Sequence, residues 1–391
     1  MHLSTLPTEL LISIANHLLS APQDLNSLAQ TSHLLYRITN PILYKDQISN
    51  QKSSALLWAA ERGKPAPCSR LLSEGANPNI KDQHKRTPLS WAAGNGHADV
   101  VSILLSTAET DANTPDAYFQ TPLCWAAGNS LRSSSRIPWG PPKPSYARES
   151  ATADYLLVVK LLLSIKDIQP DQRNLRGETP LAVAASEGAE SIVEELLHTR
   201  KVDPSSRDRF GQVPLIAAAR NGHLGIFKRL LGIEGVEADA RSHRGHSALL
   251  AAAGNGYAEI VKLLLAIPNV DLNQQDAGTG DSALIAAVTG GHVDVVNLLL
   301  ANEVVDPNLA NEYGDTALLR AVHQERNHIM HLLLARGVDP DVKNKQGNTP
   351  LMIAAHKGNI EVVEGLLSTG RIAADFDLKK LNLPSFMRRQ G

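Results

Sequence analysis

The stretch "TPLSWAAGNGHADVVSILL", residues 87–105, decides how this chain folds. Thr87 can cap a helix, Pro88 loses no needed hydrogen bond in its first turn, and Ala92 and Ala93 give that helix a slim apolar side. Gly96 ends it. Val100, Val101, Leu104 and Leu105 then fall at helical spacing, so a second helix follows with one apolar face. The string returns, altered but in step, as "SALLWAAERG" at 54, "TPLCWAAGNS" at 121, "TPLAVAASEGAESIVEELL" at 179 and "VPLIAAARNGHLGIFKRLL" at 213. It continues as "SALLAAAGNGYAEIVKLLL" at 247, "SALIAAVTGGHVDVVNLLL" at 282, "TALLRAVHQERNHIMHLLL" at 316 and "TPLMIAAHKGNIEVVEGLL" at 349. The nine starts lie 33, 34, 58, 34, 34, 35, 34 and 33 residues apart.

One such unit cannot bury its apolar faces alone, so the stack is the folding unit and the array is predicted to be all-α. Loops such as "GANPNIKDQHKR" and "GVDPDVKNKQGN" turn back between units as hairpin fingers. A period near 33 opened by T-P-L resembles the ankyrin repeat, over roughly residues 53–375. That resemblance implies an ankyrin-repeat solenoid of about nine helix–turn–helix repeats.

The chain departs from that family in places. Ankyrin units often carry His after T-P-L; here Ser90, Cys124, Ala182, Ile216, Leu250, Ile285, Leu319 and Met352 stand there, which predicts that a hydrogen bond stiffening the turn is missing throughout. Trp58, Trp91 and Trp125 occupy one position in three consecutive units; they read as a local core ladder, with a stacked aromatic ligand box as the alternative. His97, His223 and His292 at the Gly-His junctions read as structural, being unsuitably spaced for a metal. The spacing of 58 holds an insertion at about 129–154, rich in Pro, Ser and Gly, which reads as a tolerated surface loop. Its "PPKP" could dock an aromatic groove and its "RSSSR" could accept phosphate.

The opening "STLPTELLISIANHLL", residues 4–19, is no copy of the repeat. Pro7 marks a helix start, Leu10, Ile14 and Leu18 form one stripe, and Leu11, Ala15 and Leu19 a second. Further helical segments carry Leu25 and Leu28, then Leu34, Leu35 and Ile38. L-P-x-E-L-L with helices of these lengths resembles an F-box, and its combination with the array is similar to the F-box/ankyrin proteins of filamentous fungi. The resemblance implies that a Skp-family adaptor, and through it a cullin, docks on Leu6, Pro7, Leu10, Ile14, Leu25 and Leu28. The alternative is that these helices only cap the apolar end of the stack. The expected organisation is therefore 1–50 as a small helical F-box-like domain, 53–375 as the array, and 376–391 as a capping turn and frayed tail.

Composition narrows the function. Lys and Arg number 38 against 40 Asp and Glu, so no global positive field recruits nucleic acid or an acidic membrane. No run reaches the ~18 apolar residues of a membrane span, and the first residues lack the basic start of a signal peptide. Two cysteines, Cys68 and Cys124, provide neither a disulfide framework nor a CxxC site, which fits a reducing cytoplasmic or nuclear setting. No GxxxxGK[ST], GxSxG, HExxH or kinase-like loop is present, and "GTGDS" at 278 belongs to a finger. The expectation is a non-enzyme with no cofactor, no catalytic residue and no metal, a monomer apart from its partners.

What remains is a protein-binding surface. In ankyrin proteins the partner meets the fingertips and the exposed side of the first helices. The resemblance carries this over to His84, Arg86, Tyr118, Arg176, Arg209, Phe210, His243, Arg244, His246, Tyr313 and Lys345, with Gln83, Gln120, Glu312 and Gln346 beside them. Aromatic and Arg residues dominate interface hot spots, and His243, Arg244 and His246 form a small basic finger suited to an acidic partner. The function expected is substrate reception for a Skp–cullin–F-box ubiquitin ligase, with a scaffold lacking any ligase link as the alternative.

Overall fold

A computed structural model describes residues 54–129 and 151–372. The helices expected in residues 1–50, most of the insertion and the tail from 373 lie outside the described residues. Those described form nine helix pairs: α1 (Ser54–Glu61) with α2 (Pro65–Ser73), α3 (Pro88–Gly94) with α4 (Ala98–Leu105), and α5 (Pro122–Asn129) with α6 (Ala151–Leu163). Next come α7 (Pro180–Glu187) with α8 (Glu190–His198), α9 (Pro214–Asn221) with α10 (Leu224–Leu231), and α11 (Ala248–Gly254) with α12 (Ala258–Leu265). The last are α13 (Ala283–Gly290) with α14 (Val293–Leu300), α15 (Ala317–His323) with α16 (Asn327–Ala335), and α17 (Pro350–Lys357) with α18 (Ile360–Leu367). Each pair falls on one copy of the repeated string. The helix after the insertion begins at Ala151, a turn before the expected "YLLVVKLLL", because Ala151 and Ala153 are strong helix formers and Asp154 suits the first turn.

The chain divides into two compact units, one reaching Pro180 and including Glu194–Val202, the other made of Leu181–Val193 and the residues from Asp203 onward. In the first, α1, α3 and α5 pack side by side, with α2, α4 and α6 as a second row. In the second, α9, α11, α13, α15 and α17 form one row and α10, α12, α14, α16 and α18 the other. The Ala-Ala pairs sit between helices of the first row, where Ala92, Ala93, Ala218, Ala219, Ala252 and Ala253 are fully buried. Leu104, Leu230, Leu264 and Leu299 are equally buried on the second row. Each such Leu contributes on the order of 1.5–3 kcal/mol by leaving water.

Thr or Ser closes the start of most first helices. Thr87, Thr121, Ser247, Ser282, Thr316 and Thr349 each accept the backbone N–H three residues on, at 3.1–3.4 Å. The turn is therefore held by the Thr or Ser cap, and the further bond of the family's His has no side chain to make it. Ser90 goes further, its hydroxyl lying 3.1 Å from that of Thr87. Val213 has no such oxygen and leaves α9 without a side-chain cap.

The Gly-aromatic junctions tie each repeat to the one before. His97, His223 and His292 place Nε2 3.0–3.1 Å from the carbonyls of Glu61, Ser186 and Gly254. A carbonyl can only accept, so Nε2 carries the proton. Burial lowers the His97 pKa, with the Glu61 carbonyl opposing it, so the ring is held neutral. These rings need glycine beneath them: Gly256 has φ +81°, and a Cβ there would stand 2.5 Å from the His292 ring.

Candidate target-binding surface

Eight described fingers are built one way, by a polar residue at the base that folds back on its own backbone. Asp82 Oδ1 accepts the N–H groups of His84 and Arg86 at 2.8 and 2.9 Å, while its own N–H donates to the Arg86 carbonyl. Asp116, Asn174, Asp208, Asn311 and Asn344 repeat this pattern, and Ser242 does so with a single bond to the His246 N–H. Asp276 closes a finger one residue longer, taking N–H groups from Gly278, Thr279 and Asp281. Burial works against its ionised form, but these bonds outweigh that and hold its carboxyl below the usual range. This is the short-side-chain mimicry of a turn that makes Asp and Asn frequent in fingers.

Backbone bonds then join finger to finger. In the first unit the N–H of Ala117 donates to the His84 carbonyl and that of Leu175 to the Tyr118 carbonyl, both at 2.8 Å. In the second, His243 donates to Phe210, Ala277 to Arg244, Glu312 to Thr279 and Lys345 to Tyr313, at 2.8–3.0 Å. The tips named from sequence are thus fixed by their main chains while their side chains face outward.

In the first unit His84 is exposed and its ring stacks on Tyr118 of the next finger, with centroids 6.4 Å apart. Arg176 is exposed on the finger after that. Arg86 differs: its Nε pairs with Asp82 at 2.8 Å and its guanidinium lies 3.8 Å over the Trp91 ring, so it already serves its own finger. Trp91 and Trp125 donate Nε1–H to Asp82 and Asp116 at 3.2 and 3.1 Å. Trp125 is buried while Trp58 and Trp91 are half-buried, so Trp91 and Trp125 tether their own fingers as well as filling space between repeats. Burial raises the Asp116 pKa despite its three N–H partners.

The second unit holds Arg209, Phe210, His243, Arg244, Tyr313 and Lys345 exposed at successive tips, with His246 half-buried behind. Below the tips lies a groove of about 950 Å³ lined by Phe210, Arg220, Arg244, His246, Leu250 and Asp276. Its floor is open because Ala251, Gly254 and Ala286 are small. A second groove of about 620 Å³ shares Thr279 with it and carries Tyr313, Arg320, His323, His356 and Lys357. There Arg320 faces Asp315 at 3.6 Å and Lys357 pairs with Glu325 at 3.1 Å. Arg220 has no such partner: it makes no hydrogen bond or ion pair with any described residue.

Sequence reading passed over Arg220. Its signal was positional, for the other repeats hold Glu61, Gly94, Gly128, Ser186, Gly254, Thr289, His323 and His356 at the same place, none of them Arg. Phe119 was also missed. It is 53% exposed at φ +58°, where six of the eight fingers use glycine and only Lys85 shares its conformation.

Ankyrin-repeat family models match residues 55–134, 149–242, 215–311, 249–344 and 303–380. The chain belongs to the ankyrin-repeat family. An F-box-like domain matches residues 3–48. Ankyrin repeat domain-containing protein 49 of Bos taurus is 45% identical over 65 residues, 16% of this chain and 27% of that protein. The E3 ubiquitin-protein ligase Ufd4 of Drosophila melanogaster is 40% identical over 67 residues, 16% of this chain and 2% of that protein. The chain thus spans about a quarter of the ankyrin relative. Among solved structures, the crystallised ankyrin repeat protein EF0377 is 31% identical with a TM-score of 0.44, covering 48% of this chain and 96% of that one.

The all-α ankyrin-repeat fold read from the sequence, with an F-box-like domain ahead of it, is borne out. Both are interaction modules. Among the described residues no helix is long and apolar enough to cross a membrane, and no cluster of His, Cys, Asp and Glu is arranged to hold a metal. Cys68 and Cys124 are free and buried, and burial pushes both thiols up to about 12, so they pack as apolar groups.

Proposed function

We propose that this ankyrin-repeat protein is the substrate receptor of a Skp–cullin–F-box ubiquitin ligase. The N-terminal helices dock a Skp-family adaptor through Leu6, Pro7, Leu10, Ile14, Leu25 and Leu28, and the array holds a target protein at its fingertips and grooves. The observation that carries this reading is the F-box-like match at 3–48, directly ahead of repeats that begin at 55. The protein catalyses nothing itself; tethering raises the target's effective concentration beside the ligase. A cytoplasmic or nuclear setting accords with two free, buried thiols. A scaffold without a ligase link would use the same finger surface, and the N-terminus alone separates the two.

Co-expression of the full chain with a Skp-family adaptor, followed by gel filtration, tests the proposal. Co-elution at equal stoichiometry is expected, and separate elution of two folded proteins would leave the scaffold reading in its place.

A further inference from the structure

Arg220 stands at the last turn of α9, half-buried, in a groove whose charged lining is Arg220 itself, Arg244, Asp276 and Asp281. Burial lowers its pKa, and only Asp208 acts on it in the opposite sense, without forming an ion pair. The Arg220 side chain makes no hydrogen bond or ion pair with a described residue, so its five donors remain available to a ligand entering the groove. Arg244 lines the same groove, exposed and equally unpaired in its side chain. The acids nearby are already engaged: Asp276 takes three N–H groups and the Thr279 hydroxyl, and Asp281 accepts from Asn311 at 2.7 Å. Phe210, 55% exposed, forms the rim. The floor is cut one side chain deep, because Gly254 occupies the place that Arg220 holds one repeat earlier.

We propose that this groove receives an extended segment of the target protein bearing one acidic residue, an Asp or Glu carboxylate pairing with Arg220 and Arg244 while a neighbouring apolar side chain rests on Phe210. Guanidinium and carboxylate meet in a bidentate fork, and the partial burial strengthens the pairing. Asp276 and Asp281 in the same lining limit the groove to a single carboxylate at the two arginines, which does not suit the continuous run of charges along a nucleic acid. The proposal rests on the reading that the array holds a target protein, and it is independent of whether the N-terminus docks an adaptor.

The test is a random short-peptide library displayed on phage and selected on the immobilised full chain, with the strongest peptide then synthesised and titrated. Enrichment of Asp and Glu beside an apolar residue is expected, with the synthetic peptide losing at least about tenfold in affinity on Arg220→Gln and on Arg244→Gln. Lys262→Gln, on the exposed side of α12, is expected to leave binding unchanged. Arg244 is exposed, so its variant decides the matter if Arg220→Gln fails to fold. Peptides enriched without acidic residues, or acidic peptides binding both variants as they bind the native chain, would overturn the proposal while sparing the array's role as a receptor. Enrichment of nothing at all would count against both. A tenfold or greater gain when phosphoserine replaces the acidic residue would make the occupant a phosphopeptide and overturn the carboxylate assignment.

Discussion

At the scale of single residues, the fingers show how far local chemistry sets the backbone. Six of the eight described fingers place glycine at the left-handed position, whereas Lys85 and Phe119 adopt φ +60° and +58° with a Cβ in the way. Such a residue costs roughly 1 kcal/mol or more. Lys85 is exposed and makes no side-chain contact that offsets this. Lys85→Gly is therefore expected to stabilise the chain by on the order of 0.5–1 kcal/mol in denaturant unfolding; a loss of stability would mean that this finger is not strained. The finger bases were legible as turn formers because Asp and Asn have this habit in any loop. Arg220 was not, for its importance lies in what the next repeat lacks. A glycine at 254 is unremarkable in sequence and becomes an opening only when α9 and α11 lie side by side.

At the scale of elements, helix existence and pairing were readable because the apolar period recurs in every copy and Thr-Pro-Leu or a close variant opens each. Boundaries were readable where Gly or Pro marks them and less so at Ala151, where no breaker precedes the helix. With the family histidine missing, the Thr or Ser cap is the side-chain bond that holds the turn. Val213 is the natural test of that account, since it stands where other repeats use Thr or Ser and leaves the N–H groups of α9 without a side-chain acceptor. Val213→Thr keeps the shape and adds the oxygen. It is expected to raise stability by about 1 kcal/mol, seen as a higher unfolding midpoint. No change, or a fall, would mean that the caps contribute little in this array and that packing of the Ala-Ala pairs carries the first helices.

At the scale of the whole molecule, the proposed function divides between an array that binds and an N-terminus that connects. The array's fold follows from periodicity, and its binding surface follows in outline from where fingers must project. Which fingertip residues are free for a partner was not legible: Arg86 is spent on Asp82 and Trp91, while Arg220 below the tips is unspent. The opening residues 4–19 are read through a different argument, two apolar stripes in the sequence that spread over more of a helix than one neighbour could bury. If an adaptor covers the second stripe, each large aliphatic side chain there contributes on the order of 1.5–3 kcal/mol to the complex before ordering costs. If the segment is only a cap, the same side chains stabilise the first repeat instead.

The measurement that separates these is a calorimetric titration of a purified Skp-family adaptor into the full chain and into the Leu6→Ala, Pro7→Ala double variant, each with its thermal unfolding recorded alongside. One-to-one binding by the native chain is expected, weakened at least about tenfold in the variant while the repeats unfold at the native temperature. A variant whose repeats lose stability, in a protein whose native chain takes up no adaptor, would contradict the receptor account and make the opening helices the cap of an ankyrin scaffold.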